Sequence, residues 1–343
     1  MKGSAAMLMA LAGTLLCVLS SAEAFTLDIF GNANMDDTID ENDAVFMQGI
    51  INGTNNPTEL ADANYDGKID ELDIAQIELI ISGEEKELTI LDGIGNAVTI
   101  PMPLERIVSI AGSYGPETFC ALGAQDKLIG VASYAIENSR QLDSFLKDLP
   151  GVGGSREPDV EAILKLKPQI VHSYECYYDL QAGLKETLTS SGIQLVPLDF
   201  HKPENFSNAI MTMGYLLNKQ DRAQKLIDFE DHYLDIIDER VKTLKEEDKP
   251  KVYLESYLDY RTAGPGSAEN DNVLPRCGGN NIFNDVSGVV YIDPELLIQR
   301  NPEAVVRFIH DGQVFSGYGV TDVGPIEELR EQTINRSGWE KID

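Results

Sequence analysis

Two acidic runs of twelve residues, thirty positions apart, constrain this chain more than any other feature: Asn32 to Asp43 and Asp62 to Asp73. Each carries side-chain oxygens at positions 1, 3, 5, 9 and 12. These are Asn32, Asn34, Asp36, Asp40 and Asp43, then Asp62, Asn64, Asp66, Asp70 and Asp73. Position 7, Thr38 or Lys68, is free to offer a backbone carbonyl, and Ile39 or Ile69 follows it. Calcium takes about six to eight oxygen ligands, and a loop of this form supplies them. The pattern therefore predicts two Ca2+ loops. Apolar residues at helical spacing come after each, Val45, Phe46 and Ile50, then Ile74, Ile77, Ile80 and Ile81, so each loop should lead into a helix. The repeat argues against a mere solvated linker. Loop one has Asn32 in place of a charged first ligand and Asp37 where a glycine usually turns the chain, so loop two is expected to bind more tightly.

The chain has 343 residues and a formal charge of −30, a length for two or three domains and a charge that argues against nucleic acid as a partner. Residues 1–24 read as a secretory signal, with Lys2, an apolar stretch from Met7 to Leu19, and a small-x-small site at Ala22-Glu23-Ala24. The protein is thus expected to be exported, to a cell surface or periplasm-like space. Three cysteines would remain, Cys120, Cys176 and Cys277, so at least one has no intramolecular partner.

After Gly83 the run Glu84-Glu85-Lys86-Glu87 reads as a charged hinge, and Leu88–Ile100 as a hairpin around Asp92-Gly93. Strand and helix patterns then alternate, which predicts parallel sheets covered by helices. From Asn205 to about Lys245 the spacing is helical throughout, as two packed helices or one long helix broken near Asn218. The expected fold is α/β: two Rossmann-like lobes joined by a long helix, after a small all-α calcium-loop module. The expected divisions are 1–24 leader, 25–83 calcium module, 84–202 lobe 1, 203–247 interlobe helix and 248–343 lobe 2.

Loop followed by exit helix, twice, with Asp rather than Glu at position 12, resembles a type I dockerin over residues 28–83. That resemblance implies a cohesin-like surface protein as partner. Residues 88–343 resemble the class III substrate-binding proteins of ABC importers, which capture ferric siderophores, haem and vitamin B12. The matching stretches are Arg106–Ile110, Ala121–Ala124, Gly130–Tyr134, Asp159–Pro168, Cys277–Phe283 and Pro294–Pro302. The family pattern continues with another strand and helix after Trp339, so the resemblance implies a second lobe cut short.

Such proteins hold ligand between the lobes on loops at strand ends, and here those loops are rich in tyrosine. Tyr114, Tyr134, Tyr174, Glu175 and Tyr178 of lobe 1, with Tyr257, Arg261 and Tyr291 of lobe 2, are the expected ligand-binding residues. Aromatic rings stack on flat chelates, and Arg pairs with carboxylate or phosphate. Glu161 and Glu295, each opening a helix, match the pair by which the family docks on its permease. Of the four histidines, His172 is expected to be packed, and no His-rich loop favours a bare metal ion. The chain is therefore expected to be a binding protein rather than an enzyme, carrying an iron chelate or a cobalamin-like corrinoid. A dockerin-bearing polysaccharide-degrading or carbohydrate-binding component and a bare transition-metal-binding importer protein stand as alternatives.

Overall fold

The computed structural model describes residues 25–139, 142–271, 273–309 and 321–342. The expected leader and His310 lie outside them.

The two acidic loops are built alike. In loop one, Asp36 N–H is shared between Asn32 Oδ1 and Asn34 Oδ1, Thr38 N–H goes to Asp36, and Asp43 accepts from Asn34 and Asp40. Loop two repeats every one of these bonds thirty residues on. Asp40 and Asp70 then cap helices α1 (Glu41–Ile51) and α2 (Glu71–Ser82), each in a reciprocal capping box with the aspartate three residues later. The loops part at position 6. Gly67 adopts φ 86° and donates its N–H to Asp62, whereas Asp37 stays out of the left-handed region. Loop one is closed instead by Asn32, fully buried, whose amide donates to Leu27 O and Asp36 O.

The chain continues through the antiparallel hairpin β1 (Glu87–Leu91) and β2 (Ala97–Pro101). The run Glu84–Glu87 is not a free hinge. Glu85 is buried, β1 starts at Glu87, and Ile29 bridges Ile90. Lobe 1 follows as β3 (Ile107–Ser109), α3 (Tyr114–Ala121), β4 (Leu128–Val131), α4 (Ser133–Asn138), α5 (Asp143–Leu146), α6 (Val160–Leu166), β5 (Ile170–Ser173), α7 (Ala182–Ser190) and β6 (Gln194–Pro197). Its sheet is wholly parallel, in the order β4-β3-β5-β6. All four carboxyl ends therefore emerge on one edge.

The long helical stretch is a pair, α8 (Phe206–Leu216) and α9 (Gln220–Val241), broken at Asn218 with φ 53°. α8 is buried along most of its length, while α9 buries only Ala223 and Ile227. Lobe 2 comprises β7 (Lys251–Ser256), β8 (Arg261–Ala263), α10 (Ala268–Asp271), α11 (Leu274–Cys277), β9 (Asn280–Asn281), β10 (Val289–Tyr291), α12 (Pro294–Arg300), β11 (Ala304–Phe308) and α13 (Gly324–Ile334). Its sheet is mixed rather than parallel. β7 runs parallel to β9 and β11, but β8 turns back against β7 and β10 against β8.

One hydrophobic core runs from the acidic module into lobe 1. Leu27, Ile29, Met47, Ile77 and Ile80 join Ile90, Ile100, Phe119, Ile210, Met213 and Leu216 in a single cluster. Polar contacts close the same seam. Ile39 donates its N–H to the Tyr215 hydroxyl at 2.8 Å, and Asn208 both accepts from Asp28 N–H and donates to the Asp28 carboxylate. Val45, expected to face inward, is 72 % exposed, because α1 turns Met47 and Ile50 to the core instead.

Candidate functional site

The parallel sheet of lobe 1 delivers four loops to one edge, the usual place for a ligand in such sheets. His172 is the penultimate residue of β5 and is fully buried. Its Nε2 lies 2.9 Å from Leu198 O and so carries the proton, which leaves Nδ1 to accept from Ser109 Oγ at 3.0 Å. Phe200 stacks on it and burial pushes its pKa down to about 4. His172 is a packed, neutral support for the loops above it.

Above it the aromatic side chains form a ladder. Tyr114, at the start of α3, stacks on His201 with centroids 4.9 Å apart and planes 18° apart. Tyr174, from the β5 loop, meets His201 edge-on at 5.4 Å and Tyr177 edge-on at 5.7 Å. Arg156 caps the end, its guanidinium 5.2 Å from the Tyr177 ring. Gly112 makes room for this: a Cβ there would stand 2.7 Å from the Tyr174 hydroxyl. Burial pushes the Tyr174 phenol far above its ordinary value, with the neighbouring Tyr114 and Asp199 adding to the shift, so it stays protonated and can donate.

Lobe 2 contributes Tyr257, which directly follows β7 and lies beside Phe308. Its phenol is raised first by burial, then by Glu269, and then by Tyr114 and Tyr134 of the other lobe. Tyr114, Tyr134 and Tyr257 thus lie within electrostatic reach of one another across the gap. Tyr114 and Tyr134 remain half exposed, at 50 % and 46 %. Arg261 sits near Tyr257 and pairs in register with Tyr291 on the adjoining strand, so their side chains share one face. Tyr257 and Tyr260 both adopt left-handed φ, 61° and 57°, which turns β7 back into β8.

Two expected residues lie elsewhere. Glu175 points away from the tyrosines: its carboxylate meets Lys202 Nζ at 2.6 Å and accepts from Asp199 N–H, and a Cβ on Gly93 would collide with it. It ties the β5 loop to the segment between β6 and α8. Tyr178 lies under the Lys185 ammonium, 4.6 Å from the ring centroid, and its hydroxyl faces Asn96 and Lys185. His201, absent from the residues expected to bind ligand, is the centre of the ladder. Its signal was its place four residues beyond β6, on the same edge as the other loops.

Glu161 and Glu295 are exposed and stand on a shared template. Asp159 and Asp293 cap α6 and α12, each glutamate follows two residues later, and each helix ends in a left-handed residue, Lys167 or Asn301, followed by proline. A strand of the lobe's sheet comes next in both cases.

The acidic loops hold oxygens but no cation-bearing side chain in a salt bridge, among the described residues. Asp43 and Asp73 are fully buried, and burial raises both, Asp43 to about 6. Asp40 and Asp70 each spend an oxygen on capping a helix. No three His, Cys, Asp or Glu side chains converge on a metal position among the described residues. A hard cation there would have to be held by a mixture of carboxylate, amide and backbone oxygens, a donor set that calcium accepts.

Cys120, Cys176 and Cys277 are all unpaired. Among the described residues no helix is long and apolar enough to cross a membrane. A surface concavity of about 730 Å³ beside α9 is lined by Ala121, Arg222, Leu226 and Phe229, and its charged groups are exposed.

Comparison with known proteins supports the body of the chain. Residues 107–319 match the model of the periplasmic binding protein family. An uncharacterised ABC transporter substrate-binding lipoprotein of Bacillus subtilis, YvrC, is 27 % identical over 226 residues, 64 % of this chain and 68 % of the relative. The high-affinity haem uptake system protein IsdE of Staphylococcus aureus is 28 % identical over 177 residues, 50 % of this chain and 58 % of its own length. The fold matches the TroA-like periplasmic binding protein FepB of Veillonella parvula, with a TM-score of 0.64 at 22 % identity over 74 % of this chain and 80 % of that one. With two α/β lobes, loops gathered on one strand edge and a family model spanning most of both, the chain belongs to the periplasmic binding protein family.

Proposed function

We propose that the chain is an extracytoplasmic substrate-binding protein of an ABC importer, and that its cargo is an intact metal chelate, an iron complex such as a siderophore or haem, or a corrinoid. The observation that carries this reading is the Tyr114–His201–Tyr174 ladder on the strand edge of lobe 1, with Tyr114 and Tyr134 half exposed. Such a wall offers ring faces and phenol donors to a flat or bulky organic shell. A bare transition-metal ion needs several converging His, Cys or carboxylate ligands instead. The names of the relatives point the same way, since one is a haem uptake protein. Tyr291 and Arg261 would meet the cargo from lobe 2.

The test is titration of the folded protein with haemin, a ferric tris-catecholate, a ferric tris-hydroxamate and cyanocobalamin, followed by intrinsic fluorescence. Saturable binding of one class is expected. Failure of all four to bind would overturn the reading.

Two finer roles belong to the same proposal. Glu161 and Glu295, exposed on their matching helix starts, would contact the permease, one from each lobe. The loops at 32–43 and 62–73 would hold calcium in a dockerin-like module whose exposed face, with Val45 at 72 % and Leu72 at 60 %, meets a cohesin-like surface protein. Calcium titration by calorimetry should show saturable heat that Asp62→Ala weakens; equal heats in both proteins would remove calcium from loop two.

A further inference from the structure

His201 is held in an unusual way for a histidine beside a ligand cleft. Its ring is fixed by Tyr114 on one face and by the edge of Tyr174. Its Nδ1 is buried and has no hydrogen-bond partner. Neutral imidazole carries one N–H, and a buried N–H without an acceptor is costlier than a buried lone pair. The proton therefore resides on Nε2, which has no partner among the described residues and is not buried.

This arrangement has a consequence for metal chemistry. A histidine that ligates a metal through one nitrogen almost always donates the other N–H to a carboxylate, carbonyl or water. Here the second nitrogen meets no such group from the protein. His201 is built to donate, not to coordinate. Tyr174, kept protonated by burial, is a second donor on the same wall.

We propose that His201 is a specificity-determining contact that donates its Nε2–H to an oxygen on the organic periphery of the cargo and supplies no ligand to the cargo's metal. The proposal rests on the chelate reading above and names the chemistry the lobe 1 wall selects: a complex whose metal is already fully coordinated and whose rim bears anionic or carbonyl oxygen. Haem carboxylates, catecholates and hydroxamates all offer that oxygen, and the separate titrations distinguish them.

The experiment compares the full chain with its His201→Gln, His201→Phe and His201→Ala variants, using whichever of haemin, ferric tris-catecholate or ferric tris-hydroxamate the parent protein binds. Glutamine keeps a side-chain N–H, phenylalanine keeps the stacking, and alanine keeps neither. His201→Gln should bind within about threefold of the parent, and His201→Phe and His201→Ala about tenfold or more weakly, the scale of a hydrogen bond to a charged group. The visible absorption bands of the bound complex should be the same in parent and His201→Gln. Equal affinity in parent, Phe and Ala variants would overturn the proposal, and so would a shift of the metal's absorption bands in His201→Gln, which would make His201 a ligand. Should alanine fail to fold, judged by its thermal midpoint, the Gln–Phe pair still decides. Failure of the parent to bind any of the three complexes overturns the proposal; failure to bind cyanocobalamin as well overturns the chelate reading too, so the two failures are told apart.

Discussion

At the scale of single residues, buried charge is the sharpest feature of lobe 2. Glu255 is fully buried, and Arg336 grips it with both arms at 2.6 and 2.9 Å while Arg307 approaches at 3.4 Å. Tyr253 Oη and Tyr260 N–H donate to the same carboxylate. Removing one partner of such a pair leaves an uncompensated charge in the interior. Arg336→Ala should therefore destabilise lobe 2 by about 3 kcal/mol, with Arg307 softening the loss. Urea unfolding checks this, and a change below about 1 kcal/mol would show that Arg307 alone suffices. Nothing local in the sequence joins residues 81 positions apart, so this pair was not legible beforehand. The same holds for Tyr215 and Ile39, and for the turn of Glu175 away from the tyrosines toward Lys202. What could be read was local: oxygen spacing in the loops, helix caps at Asp40 and Asp70, and tyrosines following strands.

At the scale of elements, periodicity located most strands and helices of lobe 1, because each βα unit alternates over short, regular distances. It missed the antiparallel β8 and β10, whose three residues each are too few to show a period. It also left the helical stretch open between one helix and two, which Asn218 decides by adopting a left-handed backbone. The longer helix, α9, carries a titrating group. Burial pushes Glu230 up to about 7, with Asp231 adding and Arg276 opposing. The folded chain thus holds a proton there at pH values where the unfolded chain has lost it, and stability falls as pH rises through this range. Glu230→Gln should be more stable than the parent at pH 8, and the gap should close as pH falls through 7 toward 5. Thermal midpoints measured in parallel across that range check it; a gap independent of pH would assign the effect to packing.

At the scale of the whole molecule, the acidic module and lobe 1 share one core, while lobe 2 keeps its own clusters around Leu254 and around Tyr253, Phe283 and Trp339. Heating should therefore give one transition for residues 25–217 and a separate one for lobe 2. Tyr215→Phe leaves the buried Ile39 amide unpaired, a cost of about 1–3 kcal/mol, and should lower only the first transition. Calorimetry resolves this, and a variant that moved both transitions equally would show a single cooperative unit. The sequence suggested a charged hinge between the module and lobe 1, since hydropathy does not reveal which surfaces share a core. Fusion of the module to one lobe makes the molecule mechanically lopsided. Whatever grips the module also immobilises lobe 1, and any opening or shutting of the mouth falls to lobe 2, swinging at the end of α9 against a stationary jaw.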